Sequence, residues 1–231
     1  MSEISPTEWT AILLSLRVAI IATLVATPFG IALAWLLARR DFWGKSILDA
    51  AVHLPLVLPP VVTGYLLLLT FGKRGLVGAW LADHLGIVFA FRWTGAALAC
   101  GVMSFPLLVR PIRLSIEAID RRLEQAASTL GAAPWRVFAT VTLPLALPGV
   151  LAGMVLGFAK AIGEFGATIT FVSNIPGETQ TISSAIYSLI QTPDGDAAAM
   201  RLVVISIIIA MGALIASEFF ARRATKRLHG S

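Results

Sequence analysis

The sequence is poor in the residues that do chemistry. Cys100 is its single cysteine among 231 residues. It lies within an apolar run, which excludes an intrachain disulfide and a thiolate metal cluster and leaves a small packing side chain. The histidines, His53, His84 and His229, are too few and too scattered for a recognisable metal site. Ser115, Ser183, Ser184, Ser188 and Ser206 form no persuasive nucleophile–base set with His53 or His84, which argues against a membrane enzyme or intramembrane protease. No GxxxxGK[ST] loop is present. Gly44-Lys45-Ser46 imitates its last residues, but Arg39 stands where the first glycine is required, so the chain lacks a cradle for ATP. Charge is scarce as well, at 13% of residues.

What fills the sequence is apolar. Hydrophobic residues make up 57% and mean hydropathy is +0.84, which points to an integral membrane protein rather than a soluble core. Helices are the open elements that can cross lipid with their backbones satisfied. Five spans are expected, at about 10–38, 47–71, 93–113, 145–170 and 200–220, within one transmembrane domain covering 1–231. The N-terminal MSEISPTEWTAILLSLRVAII lacks the basic region of a signal peptide and reads as a retained first helix. Pro55, Pro59 and Pro60 predict a kink or break in the second span. TQTISSAIYSLIQTP, residues 179–193, is too short and hydroxyl-rich for a sixth span and fits a re-entrant helix better than a surface one. The loop from Gly72 to Trp93 fits either a helix along the outer surface or ordinary loop packing.

The formal charge of +5 suits orientation in a bilayer better than nucleic-acid binding. With the N-terminus outside, twelve of the eighteen Lys and Arg fall on segments 39–46, 110–143 and 218–231, against four on the opposite side. The positive-inside rule then sets the N-terminus outside and the C-terminus in the cytoplasm. The remaining two, Arg17 and Lys160, lie within expected spans, where ionisable groups are costly unless paired, hydrated or snorkelling. Two readings stand. In one, Arg17 or Lys160 attracts a divalent anion near the outer mouth. In the other, Lys160 pairs with Glu164 at i,i+4 and Arg17 snorkels outward. Gly166 and Thr168, with Gly163, belong either to a moving seam or to static helix packing.

The cytoplasmic stretch 117–144 has its own pattern. Ile116, Ile119, Leu123, Ala126, Ala127 and Leu130 recur at helical spacing from Ile116 onward. Gly131 can end that helix, and Pro134 can open a second, with Trp135, Val137, Phe138 and Val141 as an apolar face. The stretch is either a socket for a partner or an amphipathic linker packed on its own bundle.

The same residues resemble the signature loop of permease subunits of ATP-binding-cassette importers, which reads Glu-Ala-Ala, three residues, Gly, nine residues, Ile, one residue, Leu-Pro. Aligned on Gly131, the triplet is Gln125, Ala126 and Ala127, Val141 stands at the isoleucine, and Leu143-Pro144 follow. Gln125 departs from the family's Glu, with Glu124 just before it. LLSLRVAIIATLVATPFGIALAWLLARRDFWGK and IGEFGATITFVSNIPGETQTISSAIYSLIQTPDG extend the likeness over nearly the whole chain, to the molybdate branch of these CysTW-like inner membrane components. The resemblance implies an all-α type I importer transmembrane domain with a coupling helix in a bacterial inner membrane. It implies docking onto an ATPase through Gln125, Ala126, Ala127, Gly131, Ala132, Pro134, Trp135, Arg136 and Phe138. It also implies a non-catalytic chain without cofactor, with ATP and Mg in the ATPase, and an assembly of two permeases, two ATPases and an external binding protein. The implied cargo is molybdate, with sulfate/thiosulfate or tungstate as the alternative. Arg17, Lys160, Glu164, Gly166 and Thr168 are the candidates for the translocation path.

Overall fold

The structure, a computed structural model, describes residues 4–229, and the side chains of residues 4–216 and of Phe219 among them. The basic cluster Arg222, Arg223, Lys226 and Arg227, on which part of the charge asymmetry rests, lies outside the described side chains. Every regular element is helical: α1 (Pro6–Arg39), α2 (Lys45–Val57), α3 (Pro60–Phe71), α4 (Leu76–Leu85), α5 (Trp93–Glu117), α6 (Arg121–Thr129), α7 (Pro134–Val137), a π-turn (Phe138–Thr142), α8 (Leu143–Ile162), α9 (Gly166–Val172), α10 (Ile182–Leu189) and α11 (Asp196–His229). Among the described residues, four helical stretches are long and apolar enough to cross a membrane, or five if the bent pair α2–α3 counts as one span.

Helix α1 starts where the sequence supplies both halves of a capping box. Ser5 Oγ accepts from the Glu8 N–H at 3.2 Å, the Ser5 N–H donates to Glu8 Oε2 at 2.6 Å, and Pro6 fills a position whose N–H would be free anyway. Its 34 residues extend about 51 Å at 1.5 Å per residue, well beyond the ~30 Å hydrocarbon core. In the turn that follows, Lys45 beside Asp41 at 2.8 Å holds that carboxyl below its ordinary range.

Helix α5 is the centre of the bundle, held between α1 and α8. Small side chains make the contact close: Ala19, Ala22 and Ala34 on α1, Ala96, Ala99 and Cys100 on α5, and Ala146 on α8 are all buried. Lipid gives apolar helices no hydrophobic reason to associate, so van der Waals fit between small residues has to do it. At Gly153 the two backbones approach so nearly that a Cβ would stand 2.5 Å from the Leu108 carbonyl oxygen.

The break appears at Pro59 and Pro60, while Pro55 is accommodated inside α2. Leu58 and Pro59 are extended, as residues at and before proline tend to be, and the axis turns by 115° between α2 and α3. The break carries α3 onto α9, where Gly64 lies against Ala167. The run 145–170, expected as one helix, differs: α8 stops at Ile162, and Gly163–Phe165 separate it from α9. The buried Glu164 side chain supplies the reason, since its Oε1 accepts the Ala167 N–H at 3.0 Å and starts α9 afresh.

Two ion pairs fix which helix ends share a level. Glu8 of α1 meets Arg201 of α11 at 2.9 Å, and Arg39 at the far end of α1 meets Glu124 of α6 at 3.1 Å. Segment 173–195 begins and ends at the Glu8 end and dips between, with the Ile182 N–H donating to Ser15 Oγ at 2.7 Å and Ser183 Oγ donating to the Ile162 carbonyl at 3.3 Å. Helix α10 within it has eight residues, too few to cross. Gly153→Leu is expected to destabilise the bundle by about 2 kcal/mol through overpacking against Leu108. Gly101→Ala, whose Cβ would meet only Ala22 at 3.8 Å, is expected to be near neutral. Denaturant titration of both variants in detergent checks the contrast.

Candidate functional site

At the Arg39 end, the chain between α5 and α8 folds into a small platform. The helix expected to run on from Ile116 is interrupted instead: α5 ends at Glu117, and Asp120 caps a new helix, accepting the Arg122 N–H at 2.9 Å. Helix α6 ends in a Schellman turn. Gly131 takes φ +86°, its N–H donates to the Ser128 carbonyl at 3.0 Å, and the Ala132 N–H donates to the Ala127 carbonyl at 3.1 Å. No heavy atom comes within 4 Å of a Cβ placed there, so the backbone angle alone calls for glycine. Pro134 then opens α7, and the widened turn comes immediately before Pro144, which has no N–H to return to the Thr140 carbonyl.

Buried contacts lock this platform to the bundle. Arg39 pairs with Glu124 and also donates to the Ile119 carbonyl at 3.2 Å. Thr142 Oγ1, fully buried in the π-turn, donates to Glu124 Oε1 at 2.6 Å. One carboxylate thus ties the end of α1, helix α6 and the π-turn. Phe138 meets Trp35 edge-on with centroids 6.0 Å apart, and Val137 is buried. Beside this, Arg113 of α5 bridges Asp49 of α2 and Glu117, both at 2.8 Å. Sequence reasoning missed Glu124, noted there only as the neighbour of Gln125. No signal beside it in the sequence could have found it, since its partners Arg39 and Thr142 lie far along the chain.

The expected docking residues form the outer skin of the platform. Gln125, Ala126, Gly131, Pro134, Trp135 and Arg136 are exposed, while Ala127, Ala132 and Phe138 are half-buried. The Trp135 ring is 67% exposed, with the Arg136 guanidinium 5.3 Å from its centroid, and Leu130 beside the glycine turn is 89% exposed. The apolar face read from the sequence is therefore divided: Val137 and Phe138 turn inward, Trp135 outward.

The candidates near the other end do not converge. Lys160 Nζ meets Glu164 Oε2 at 2.7 Å, and Glu164 is only 2% exposed. Gly166 packs on Pro60, and the buried Thr168 donates to the Phe165 carbonyl at 2.8 Å. Arg17 lies instead on the α1–α5 side, its guanidinium 3.7 Å above the Trp93 ring. No hydrogen bond or ion pair among the described residues joins it to Lys160. Since Glu164 is buried against a single cation, Lys160→Met is expected to cost about 3 kcal/mol of stability. The double variant Lys160→Met with Glu164→Gln should recover most of it, as melting of the purified variants would register.

Comparison with known proteins agrees over almost the full length. The family model described as "Binding-protein-dependent transport system inner membrane component" matches residues 26–227. A relative in Escherichia coli K12, "Molybdenum transport system permease protein ModB", is 62% identical over 220 residues, which cover 95% of this chain and 96% of the relative. Its namesake in Haemophilus influenzae is 57% identical over 96% of both. Sulfate transport permeases are more distant, for example 36% identical over 82% of this chain in Chlorella vulgaris. Among solved structures, a bacterial ABC transporter importing alginate superposes with a TM-score of 0.74 at 20% identity, covering 95% of this chain and 80% of that one. The MetNI methionine transporter superposes at 0.68 and 16% identity, covering 97% and 99%. The fold is the all-α, multi-pass fold of type I ABC-importer transmembrane domains. This chain belongs to the binding-protein-dependent transport system inner membrane components.

Proposed function

We propose that this chain is the permease subunit of a molybdate importer, moved by a separate ATPase that binds the platform at the Arg39 end. The observation that carries the substrate is the 62% identity with a molybdenum permease along nearly the whole of both chains. The lower identity of the sulfate permeases supports molybdate over sulfate. The permease itself holds no cofactor. ATP and its Mg belong to the ATPase, whose hydrolysis drives alternating access. Two permease copies enclose the path, two ATPases sit below it, and an external binding protein delivers the oxyanion. The assembly lies in a bacterial inner membrane with the N-terminus outside and the C-terminus in the cytoplasm, five spans crossing and segment 179–193 re-entrant.

Within this reading, the exposed skin from Gln125 to Phe138 docks into the ATPase, and Trp135 is its anchor. The Schellman turn at Gly131 sets the angle at which α7 is presented. The Lys160–Glu164 pair holds the joint between α8 and α9, where Gly166 and Thr168 allow that joint to move beside the path.

Reconstitution with the cognate ATPase and binding protein tests the proposal. ATP-dependent uptake of molybdate in preference to sulfate is expected, and tungstate uptake measures how far discrimination extends. Trp135→Ala is expected to weaken ATPase binding by about 2 kcal/mol, roughly thirtyfold, and to depress uptake in parallel. Uptake that proceeds without any ATPase would instead identify an ion-coupled carrier.

A further inference from the structure

The break between α2 and α3 leaves an opening on the α1–α5 side of the bundle. A groove of about 670 Å³ lies there, walled by Ile21, Val25 and Phe29 of α1, Gly101 and Phe105 of α5, and Pro55 of α2. The Thr94 hydroxyl and the Trp93 indole N–H are the side-chain donors among the lining residues, too few to replace the water around an oxyanion. Trp93 also lines the groove and stands at its outer rim, and the exposed Arg17 guanidinium lies 3.7 Å above that ring.

Depth gives the rim its meaning. About 33 Å of helix separates Arg17 from Arg39, and about 30 Å separates Trp93 from Arg113, at 1.5 Å per residue. Those lengths match the ~30 Å hydrocarbon core. With Arg39 and Arg113 at one interface, Arg17 and Trp93 fall at the other, where phosphates lie and tryptophans gather. From Trp93 to Phe105 the groove descends about 18 Å along α5, close to the depth of one leaflet. Arg17 has no carboxylate partner among the described residues. Arg92, exposed and next to Trp93, adds a second positive charge at this end.

We propose that this groove is a binding site for an anionic phospholipid of the outer-facing leaflet, with one acyl chain along the groove walled by α1, α5 and α2 and the phosphate at Arg17. Apolar walls take the chain, and the guanidinium, spread over the Trp93 face, takes the charge. The lipid closes the seam that the proline break opens and braces α1 against α5.

The full-length permease, extracted from bilayers of phosphatidylglycerol and phosphatidylethanolamine, provides the test by native mass spectrometry. The unaltered chain is expected to retain one phosphatidylglycerol per copy. Gly101→Phe, which places a ring in the groove, is expected to lose it, and Gly101→Ala to keep it. Arg17→Gln is expected to reduce the preference for phosphatidylglycerol about fivefold, the weight of one basic group near a membrane surface. Equal lipid retention by the unaltered chain and Gly101→Phe would overturn the proposal. So would rapid disulfide formation between Val25→Cys residues of two copies, which would show that a second chain covers the groove.

Discussion

The close approach of α5 to α1 and α8 is the constraint on which the rest depends. Water does not drive these helices together, so their contact has to come from shape, and shape is supplied by alanine and glycine where larger residues would hold the backbones apart. Leu108 shows how tightly this is arranged: fully buried, it reaches α1 at Gly30, and its carbonyl lies beneath Gly153 of α8. Once these three helices are fixed, the remaining elements take positions by reference to them. Helix α2 is tied to α5 through Asp49 and Arg113, α6 to α1 through Glu124 and Arg39, and α10 to α1 through Ser15.

The polar interactions follow a consistent division of labour. Within the membrane, hydroxyls mostly return to their own helix, as Thr23 does to the Ala19 carbonyl at 2.8 Å and Thr27 to the Thr23 carbonyl at 2.7 Å. Such local bonds satisfy the side chain without committing it to a neighbouring helix, so sliding between helices need not break them. Charges do the opposite. The pairs Arg39–Glu124, Arg113–Asp49, Lys160–Glu164 and Glu8–Arg201 each join separate elements or bridge a break in the chain, and they lie near helix ends.

The features legible in the sequence are those set by neighbours along the chain. Pro55, Pro59 and Pro60 announce a broken span because a missing N–H and a fixed φ act locally. Gly131 followed by Pro134 announces a helix end and a helix start for the same reason. The loop we propose as the docking surface was legible through the family resemblance, since Gln125, Gly131, Val141 and Pro144 keep the intervals of that signature. What could not be read depends on partners far apart in sequence. Glu124 gains its role from Arg39 and Thr142, and nothing around position 124 reveals either. The end of α8 was missed because apolar composition continues past Ile162. A single buried carboxylate, bonding forward to the Ala167 N–H, decides that break, and hydropathy cannot see it.

The two charged clasps on α1 have a mechanical corollary. Glu8 and Arg39 grip other helices from opposite tips of one continuous rod about 47 Å apart at 1.5 Å per residue. A rod held in this way behaves as a lever. If it pivots about its midpoint by about 10°, each tip travels about 4 Å, enough to part either clasp from its 2.9–3.1 Å separation. One unbroken helix thus links platform helix α6 to the start of α11 through an ion pair at each of its ends.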